Sequence, residues 1–408
     1  MSRPARLLRR SVGVPFFAAG VGVAAAGAYL DLLALAAFAE VPVPDPPSGR
    51  SRLVVLVPAH DEADFIGRCL ASLDAQDYPA ATYRTVVIAD NCTDSTAAIA
   101  SSLGAEVMER VDPTARGKGY ALRWAMDAIL ARPDAPDAIV VVDADTVADP
   151  GLLTALAAHF EAGAAVVQGE YLVLPESDSA PATLRAAAFM LFHRVRFSGR
   201  AVLGLPCNLV GNGMLFASGH LREMPWGAFT SAEDLEYSIE LRLAGIGPVY
   251  APQGRLEAPV PEGGRAAGVQ RQRWEGGRFH VVRTRLPLLL REVLVKRRWS
   301  LADAAVDLAV PPLGVLTMAA AGGTIVSAAL AASKRAPWWC AGPWLAASAS
   351  IPAFVLGGLA AADAPPATYR ALAQAPAFVA SAGLSRLRLL RGLGADTWER
   401  TARPSDAR

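Results

Sequence analysis

At 408 residues the chain exceeds one small domain and has room for a globular domain plus further elements. Apolar residues make up 53% and charged residues 19%, against the usual ~45–50% and ~25% of soluble proteins, which points to a membrane protein with a soluble part. A net charge of +1 argues against a nucleic-acid binder, which needs a concentrated positive excess, and four scattered cysteines suggest neither a zinc ribbon nor a disulfide framework.

A basic tail, residues 1–11 with Arg3, Arg6, Arg9 and Arg10, precedes an apolar run interrupted by Asp31 alone. Residues 12–39 are long enough for a transmembrane helix, which needs ~20 residues, and longer than the ~7–15 residue core of a signal peptide, the alternative. Pro42, Pro44, Pro46 and Pro47 make residues 40–51 a stiff linker, because successive prolines favour extended backbone. A soluble α/β domain is then predicted over 52–299. Two apolar spans follow, 308–332 and 338–361, separated by Ser333–Pro337 and read as a transmembrane hairpin. Residues 366–384 are less apolar, interrupted by Arg370, Gln374 and Pro376, and are predicted to lie at the membrane interface; 385–408 form a basic C-terminal tail.

Lys296, Arg297 and Arg298 before the hairpin, with Arg386, Arg388 and Arg391 after it, place both flanks and the soluble domain in the cytosol, at the plasma membrane. The N-terminal arginines point the opposite way, so the charge pattern is internally in conflict.

Within the soluble domain RLVVLV at 52–57 and TVVIA at 85–89 read as buried strands, and DAIVVV at 137–142 as another. Helical spacing runs through Phe65, Ile66, Cys69, Leu70 and Leu73, and helices are predicted over 94–103, capped by Asp94 or Ser95, and over 119–130. Strands alternating with helices predict a largely parallel sheet, whose ligands bind at the carboxyl ends of the strands.

Acidic groups follow each of these strands: His60-Asp61-Glu62, Asp90-Asn91-Cys92-Thr93-Asp94 and Asp143-Ala144-Asp145. Three such clusters on one rim would repel, so a divalent cation or a set of donors is implied. Asp143 and Asp145 suit Mg²⁺ or Mn²⁺, although paired aspartates also serve as plain turn formers. Lys118, in Arg-Gly-Lys-Gly at the head of a helix, can meet phosphate or simply end a glycine turn. Glu233 and Asp234 open another helix, where a carboxylate is a general base or an ordinary partner of the helix dipole.

Taken in order, Pro-Ala-His-Asp-Glu at 58–62, Asp-Asn-Cys-Thr-Asp at 90–94, Asp-Ala-Asp at 143–145, Glu-Asp at 233–234 and Gln-Arg-Gln-Arg-Trp at 270–274 resemble the family 2 glycosyltransferases. The likeness spans about residues 52–285 and is greatest to membrane-bound synthases of cellulose, chitin, hyaluronan and poly-N-acetylglucosamine. The resemblance implies a GT-A fold, a Rossmann-like nucleotide-binding sheet, and an inverting, metal-dependent transfer from a nucleotide-sugar, UDP being favoured. It implies Asp90, His60 and Glu62 at the nucleotide, Asp143 at ribose and sugar, Asp145 on Mg²⁺ or Mn²⁺, and Asp234 as base. Gln270, Arg273 and Trp274 match the family's Gln-x-x-Arg-Trp, with Arg273 on the diphosphate and Trp274 at the donor–acceptor junction. Gly211-Asn212-Gly213 resembles a segment passing close to the sugar, and also reads as a plain turn.

Three spans are few for a polymer channel, so the acceptor is expected to be lipid-linked or a polysaccharide at the membrane. A processive synthase completed by oligomer or partner helices, a nucleotidyltransferase and a non-catalytic scaffold are the alternatives.

Overall fold

The computed structural model describes residues 3–174, 177, 179–259 and 264–380, with backbone alone for 3–12, 259 and 264–273. The described residues divide into two compact units. One takes in the chain up to Glu40, the stretch ending at Leu203 and the chain from Leu308 on; the other takes in Val41–Ser177 and Gly204–Asp307.

The second unit is built on one eight-stranded sheet. Its strands are β1 (Leu53–Ala59), β2 (Tyr83–Asp90), β3 (Glu106–Arg110), β4 (Ala138–Val141), β5 (Val147–Ala148), β6 (Val166–Leu174), β7 (Met214–Ala217) and β8 (Val249–Pro259), in the order β3-β2-β1-β4-β7-β6-β8-β5. The first four run parallel, in a register that pairs Leu53 with both Tyr83 and Ala138. The sheet is mixed rather than largely parallel, because β7 runs antiparallel to both β4 and β6. Between β6 and β7 the chain leaves for the other unit, so no crossover helix constrains β7 to the parallel direction.

Period-2 alternation sends Val55 and Val57 to one face and Val54 and Leu56 to the other. The first face packs on α2 (Ile66–Asp74) and α5 (Leu152–Glu161) through Ile66, Cys69, Leu73, Leu152 and Leu156. The second packs on α4 (Lys118–Leu130) and α9 (Glu233–Leu243) through Leu122, Met126, Ile129, Tyr237 and Leu241. Helices thus cover both faces, as a mostly apolar central strand requires. α3 (Thr96–Ser102) and α8 (Ser218–Glu223) complete the layers, and α10 (Gly264–Leu294) runs against α9.

In the first unit α1 (Arg3–Ala36) meets α7 (Arg196–Val202), α12 (Leu313–Ala332) and α13 (Gly342–Ala361), while α6 (Ala180–Met190) meets α14 (Pro366–Ala371). One π turn, Leu191–Val195, joins α6 to α7, and α11 (Ala302–Ala309) precedes α12. Gly13–Ala36, Leu313–Ala332 and Trp338–Ala361 are long and apolar enough to cross a membrane. The second span begins at Leu313 and not at 308, because Pro311 and Pro312 cannot continue a helix.

α1 lies on α13 through glycines seven residues apart. A Cβ on Gly13 would stand 3.3 Å from Cys340 Sγ, one on Gly20 2.8 Å from Trp344 Nε1, and one on Gly27 2.5 Å from Ser350 Oγ. Numbers rising together along both helices mean that the two run parallel. The indole of Trp344 is held from its other side by Gly323 of α12. The interfacial prediction at 366–384 meets a short α14 and a 3-10 turn, Leu372–Gln374; residues 381–408, including the predicted C-terminal tail, lie outside the described residues.

Candidate active site

The parallel register brings the ends of β2, β1 and β4 side by side, and the loops that follow them are stapled to one another. His60 Nδ1 lies 2.7 Å from the carbonyl oxygen of Asp90. The Thr96 hydroxyl accepts from the Glu62 amide at 2.8 Å, and the Asp61 carboxylate accepts from the amides of Thr93 at 2.6 Å and Asp94 at 3.2 Å. Asp61 and Asn91 both adopt positive φ, 53° and 51°, a conformation that Asn and Asp tolerate and most residues avoid.

Asp90 is buried and receives Arg110 Nη1 at 2.6 Å and Asn91 Nδ2 at 3.0 Å. Arg110, at the end of the edge strand β3, also donates to Asp112 and to the Ala115 carbonyl. Of the expected nucleotide contacts, His60, Glu62 and Asp90 therefore stand together, with Arg110 as an additional member.

Asp61, Cys92 and Asp94 also bring ligand-type atoms within 4.8 Å of one another. Their chemistry does not fit a metal. The Asp94 carboxylate already accepts from the amides of Ala63 and Thr96 and from the Thr96 hydroxyl. Burial also pushes the Cys92 thiol up to about 11, and a thiol is a poor match for the oxygen-seeking Mg²⁺ or Mn²⁺. Ser95 is the residue preceding α3, and Asp94 supplies the side-chain cap.

At the end of β4 the Lys118 ammonium donates to Asp143 Oδ1 and to the Gly211 carbonyl. Burial alone would lower its pKa, but the Asp143 and Glu233 carboxylates outweigh burial and hold it above the usual value. The head of α4 is fixed there because a Cβ on Gly119 would stand 2.3 Å from the Ala228 carbonyl oxygen. Asp145 lies two residues beyond Asp143; both carboxylates add to the burial that pushes the Cys69 thiol up to about 12.

Gly211-Asn212-Gly213 is more than a turn. The buried Asn212 accepts from the Asp143 amide at 3.0 Å and donates to the Thr146 hydroxyl at 2.8 Å. Gln168 holds the same loop, donating to the Asn212 carbonyl at 2.7 Å and accepting from the Val210 amide at 3.0 Å. A Cβ on Gly211, whose φ is 82°, would stand 3.3 Å from Asp234 Oδ2 and 3.7 Å from Lys118 Nζ. Glycine is required here because its φ is positive and two functional groups, Asp234 and Lys118, close on the place a side chain would take.

Asp234 sits in the first turn of α9, and Ser238 ties that turn to the loop by donating to the Asp234 carbonyl and accepting from the Leu209 amide. Burial, then the neighbouring Glu233 charge, push the Asp234 carboxyl up to about 7, while the Leu235 amide and Lys118 pull the other way. A carboxyl poised near neutrality is what general-base chemistry asks for. Trp274 is half-exposed on α10, whose Arg285 donates to Glu236 at 2.8 Å and Glu240 at 2.6 Å of α9. The side chains of Gln270 and Arg273 lie outside the described residues.

Sequence reasoning missed Arg110 and Gln168. A lone Arg ending an edge strand and a Gln inside a strand carry no local signal, and their partners lie 20 and 44 residues away.

A Rossmann-like sheet with acidic loops on its strand ends, facing a helix headed by a carboxylate, defines the GT-A class of nucleotide-sugar transferases. The chain belongs to the glycosyltransferase-like family 2, whose model matches residues 50–277, more than half of its length. Among solved structures it is similar to a mannosyltransferase from Pyrobaculum calidifontis in complex with GDP-Man and Mn²⁺, at 19% identity over 84% of this chain and 99% of that one, with a TM-score of 0.49. It is also similar to S. aureus TarS in complex with UDP-GlcNAc, at 15% identity over 75% of this chain and 90% of that one, with a TM-score of 0.41. A third is glucosyl-3-phosphoglycerate synthase from Mycobacterium tuberculosis with Mn²⁺, UDP and phosphoglyceric acid, at 18% identity over 55% and 76% of the two chains and a TM-score of 0.38. No curated protein sequence matches the chain.

Proposed function

We propose that the protein is a metal-dependent, inverting glycosyltransferase that moves a sugar from a nucleotide-sugar, UDP being favoured by the family resemblance, to a hydroxyl of a lipid-linked or polysaccharide acceptor at the membrane. The observation that carries this reading is the Asp234 carboxyl packed against Gly211 beside Lys118, whose ammonium also donates to Asp143 at the end of β4.

The donor set fits Mg²⁺ or Mn²⁺ through Asp145, since one carboxylate completed by phosphate oxygens and water satisfies such an ion. Asp143 is already engaged by Lys118, which leaves it to face ribose and sugar. When bound, the ion neutralises charge on the leaving diphosphate. Asp90, held by Arg110, meets the base with His60 and Glu62, while by the family resemblance Gln270, Arg273 and Trp274 bind substrate, Arg273 at the diphosphate and Trp274 at the donor–acceptor junction.

Asp234 takes the proton from the acceptor hydroxyl as its oxygen bonds to the anomeric carbon. The bond from that carbon to the diphosphate oxygen breaks, and its electron pair leaves with the nucleoside diphosphate. One displacement inverts the centre.

Three helices able to cross a membrane support residence there, in the predicted segments 12–39, 308–332 and 338–361. Because α1 and α13 run parallel, the N-terminal end of α1 shares one end of its unit with the turn holding Lys334 and Arg335. Basic residues therefore flank both ends, and charge alone does not choose the orientation. A nucleotide donor supports a cytosolic catalytic domain at the plasma membrane. The three spans among the described residues favour transfer of one or few sugars over export of a polymer.

The test is release of nucleoside diphosphate from a panel of nucleotide-sugars by membranes containing the protein, with D234N as control. Turnover of one donor that the variant abolishes supports the reading; no turnover of any donor overturns it.

A further inference from the structure

α10 carries Trp274 but lies outside the strand ends that hold the rest of the site, so its register against α9 decides where the indole stands. Gly277, Val281, Arg285 and Leu289 follow one another every four residues and form one ridge of the helix. Val281 and Leu289 are completely buried, and Arg285 reaches Glu236 and Glu240 from the same ridge. At the upper end, a Cβ on Gly277 would stand 2.7 Å from Ser231 Oγ, 2.9 Å from Ala232 Cβ and 2.9 Å from Ala232 N. A Cβ on the neighbouring Gly276 would meet nothing within 4 Å.

The two contacts fix direction as well as distance. Moving from Gly277 to Arg285, about 12 Å along α10, passes from Ser231–Ala232 to Glu236 and Glu240 on α9, so the helices run the same way. Trp274 is one turn above Gly277 on nearly the same face, and so flanks the N-terminal end of α9, where Asp234 sits.

We propose that Gly277 is a positioning residue: by letting α10 rest on the backbone of Ser231–Ala232, it holds Trp274 alongside Asp234. The proposal rests on the reading of Asp234 as base. Trp274 keeps 45% of its surface exposed, as a platform for an acceptor must. A methyl group at 277 forces α10 away from this segment, because Ser231 Oγ can turn aside but the Ala232 nitrogen and Cβ, both at 2.9 Å, are fixed to the backbone.

The test compares the full-length protein with G277A, G276A, R285M and the double variant G277A/A232G. Donor kinetics are measured with whichever of UDP-glucose, UDP-N-acetylglucosamine or GDP-mannose the wild type consumes fastest. G277A is expected to lower kcat roughly 10- to 100-fold, the cost of a displacement near 1 Å, with the donor KM within about twofold. G276A is expected to match the wild type, and R285M to lower kcat in the same sense without touching residue 277. Removing the Ala232 methyl in G277A/A232G restores part of the lost kcat. Wild-type kcat in G277A, an equal loss in G276A, or no recovery in the double variant overturns the proposal. If G277A does not fold, a wild-type kcat in R285M overturns it. An active D234N would instead overturn the base assignment, and leaves the Gly277 comparison readable by itself.

Discussion

Replacing Asp234 with Asn has opposite consequences for activity and stability. Removing a general base lowers kcat about 10²- to 10⁴-fold. In the wild type, kcat/KM should rise with pH to a plateau above about 7, as the carboxyl loses its proton. The same raised value means that the folded protein holds a charge it disfavours. Moving a carboxyl from 3.8 to about 7, a value that already includes the pull of Lys118, corresponds to a gain in D234N of at most about 4 kcal/mol. Below pH 4 the carboxyl is protonated folded and unfolded, so the variant gains nothing; the gain grows between pH 4 and 7 and is complete above. Thermal unfolding of the full-length protein and D234N at pH 4.5 and 8 reads this directly, and for a domain of this size the pH 8 midpoint should rise by several degrees. Equal midpoints at pH 8, or the same gain at both pH values, refute the reasoning.

Lys118→Met removes the cation between Asp143 and Gly211; kcat/KM should fall at least about tenfold, and the rise of activity with pH should move upward because Lys118 no longer opposes the raised Asp234 value. Arg110→Ala strands the buried Asp90 carboxylate, a defect of about 3–5 kcal/mol visible as a lower unfolding midpoint and accompanied by weaker donor binding. Treatment with EDTA should abolish transfer, and Mn²⁺ or Mg²⁺ should restore it, whereas Cys92→Ser, at the acidic cluster rejected as a metal site, should leave the metal requirement unchanged in a titration of activity against Mn²⁺.

The strands that end at the site were legible because each is an apolar, β-branched run with acids directly after it, as in Leu53–Ala59 and Tyr83–Asp90. β7 was not, because four residues, Met214–Ala217, carry too little alternation to separate strand from helix. The acidic loops and Asp234 could be found from local motifs, whereas Arg110 and Gln168 acquire meaning only from partners brought by the fold. The least legible stretch is Ala180–Val202. With its Arg185, Arg194, Arg196 and Arg200 it falls inside the span 52–299 predicted as soluble, yet it belongs with the apolar helices, and Arg200 is fully buried and donates to the Tyr29 hydroxyl, 171 residues earlier.

The glycines at 13, 20 and 27 also bear on how the protein is made. Cys340, which meets Gly13, is separated from it by 327 residues, so α1 leaves the ribosome long before its partner exists. During that interval the sheet-bearing unit is synthesised, while the glycine face of α1 lacks its α13 partner. Small residues let two apolar helices approach closely, so the contact of α1 with α13 around Trp344 can form only after the residues of the sheet have been made.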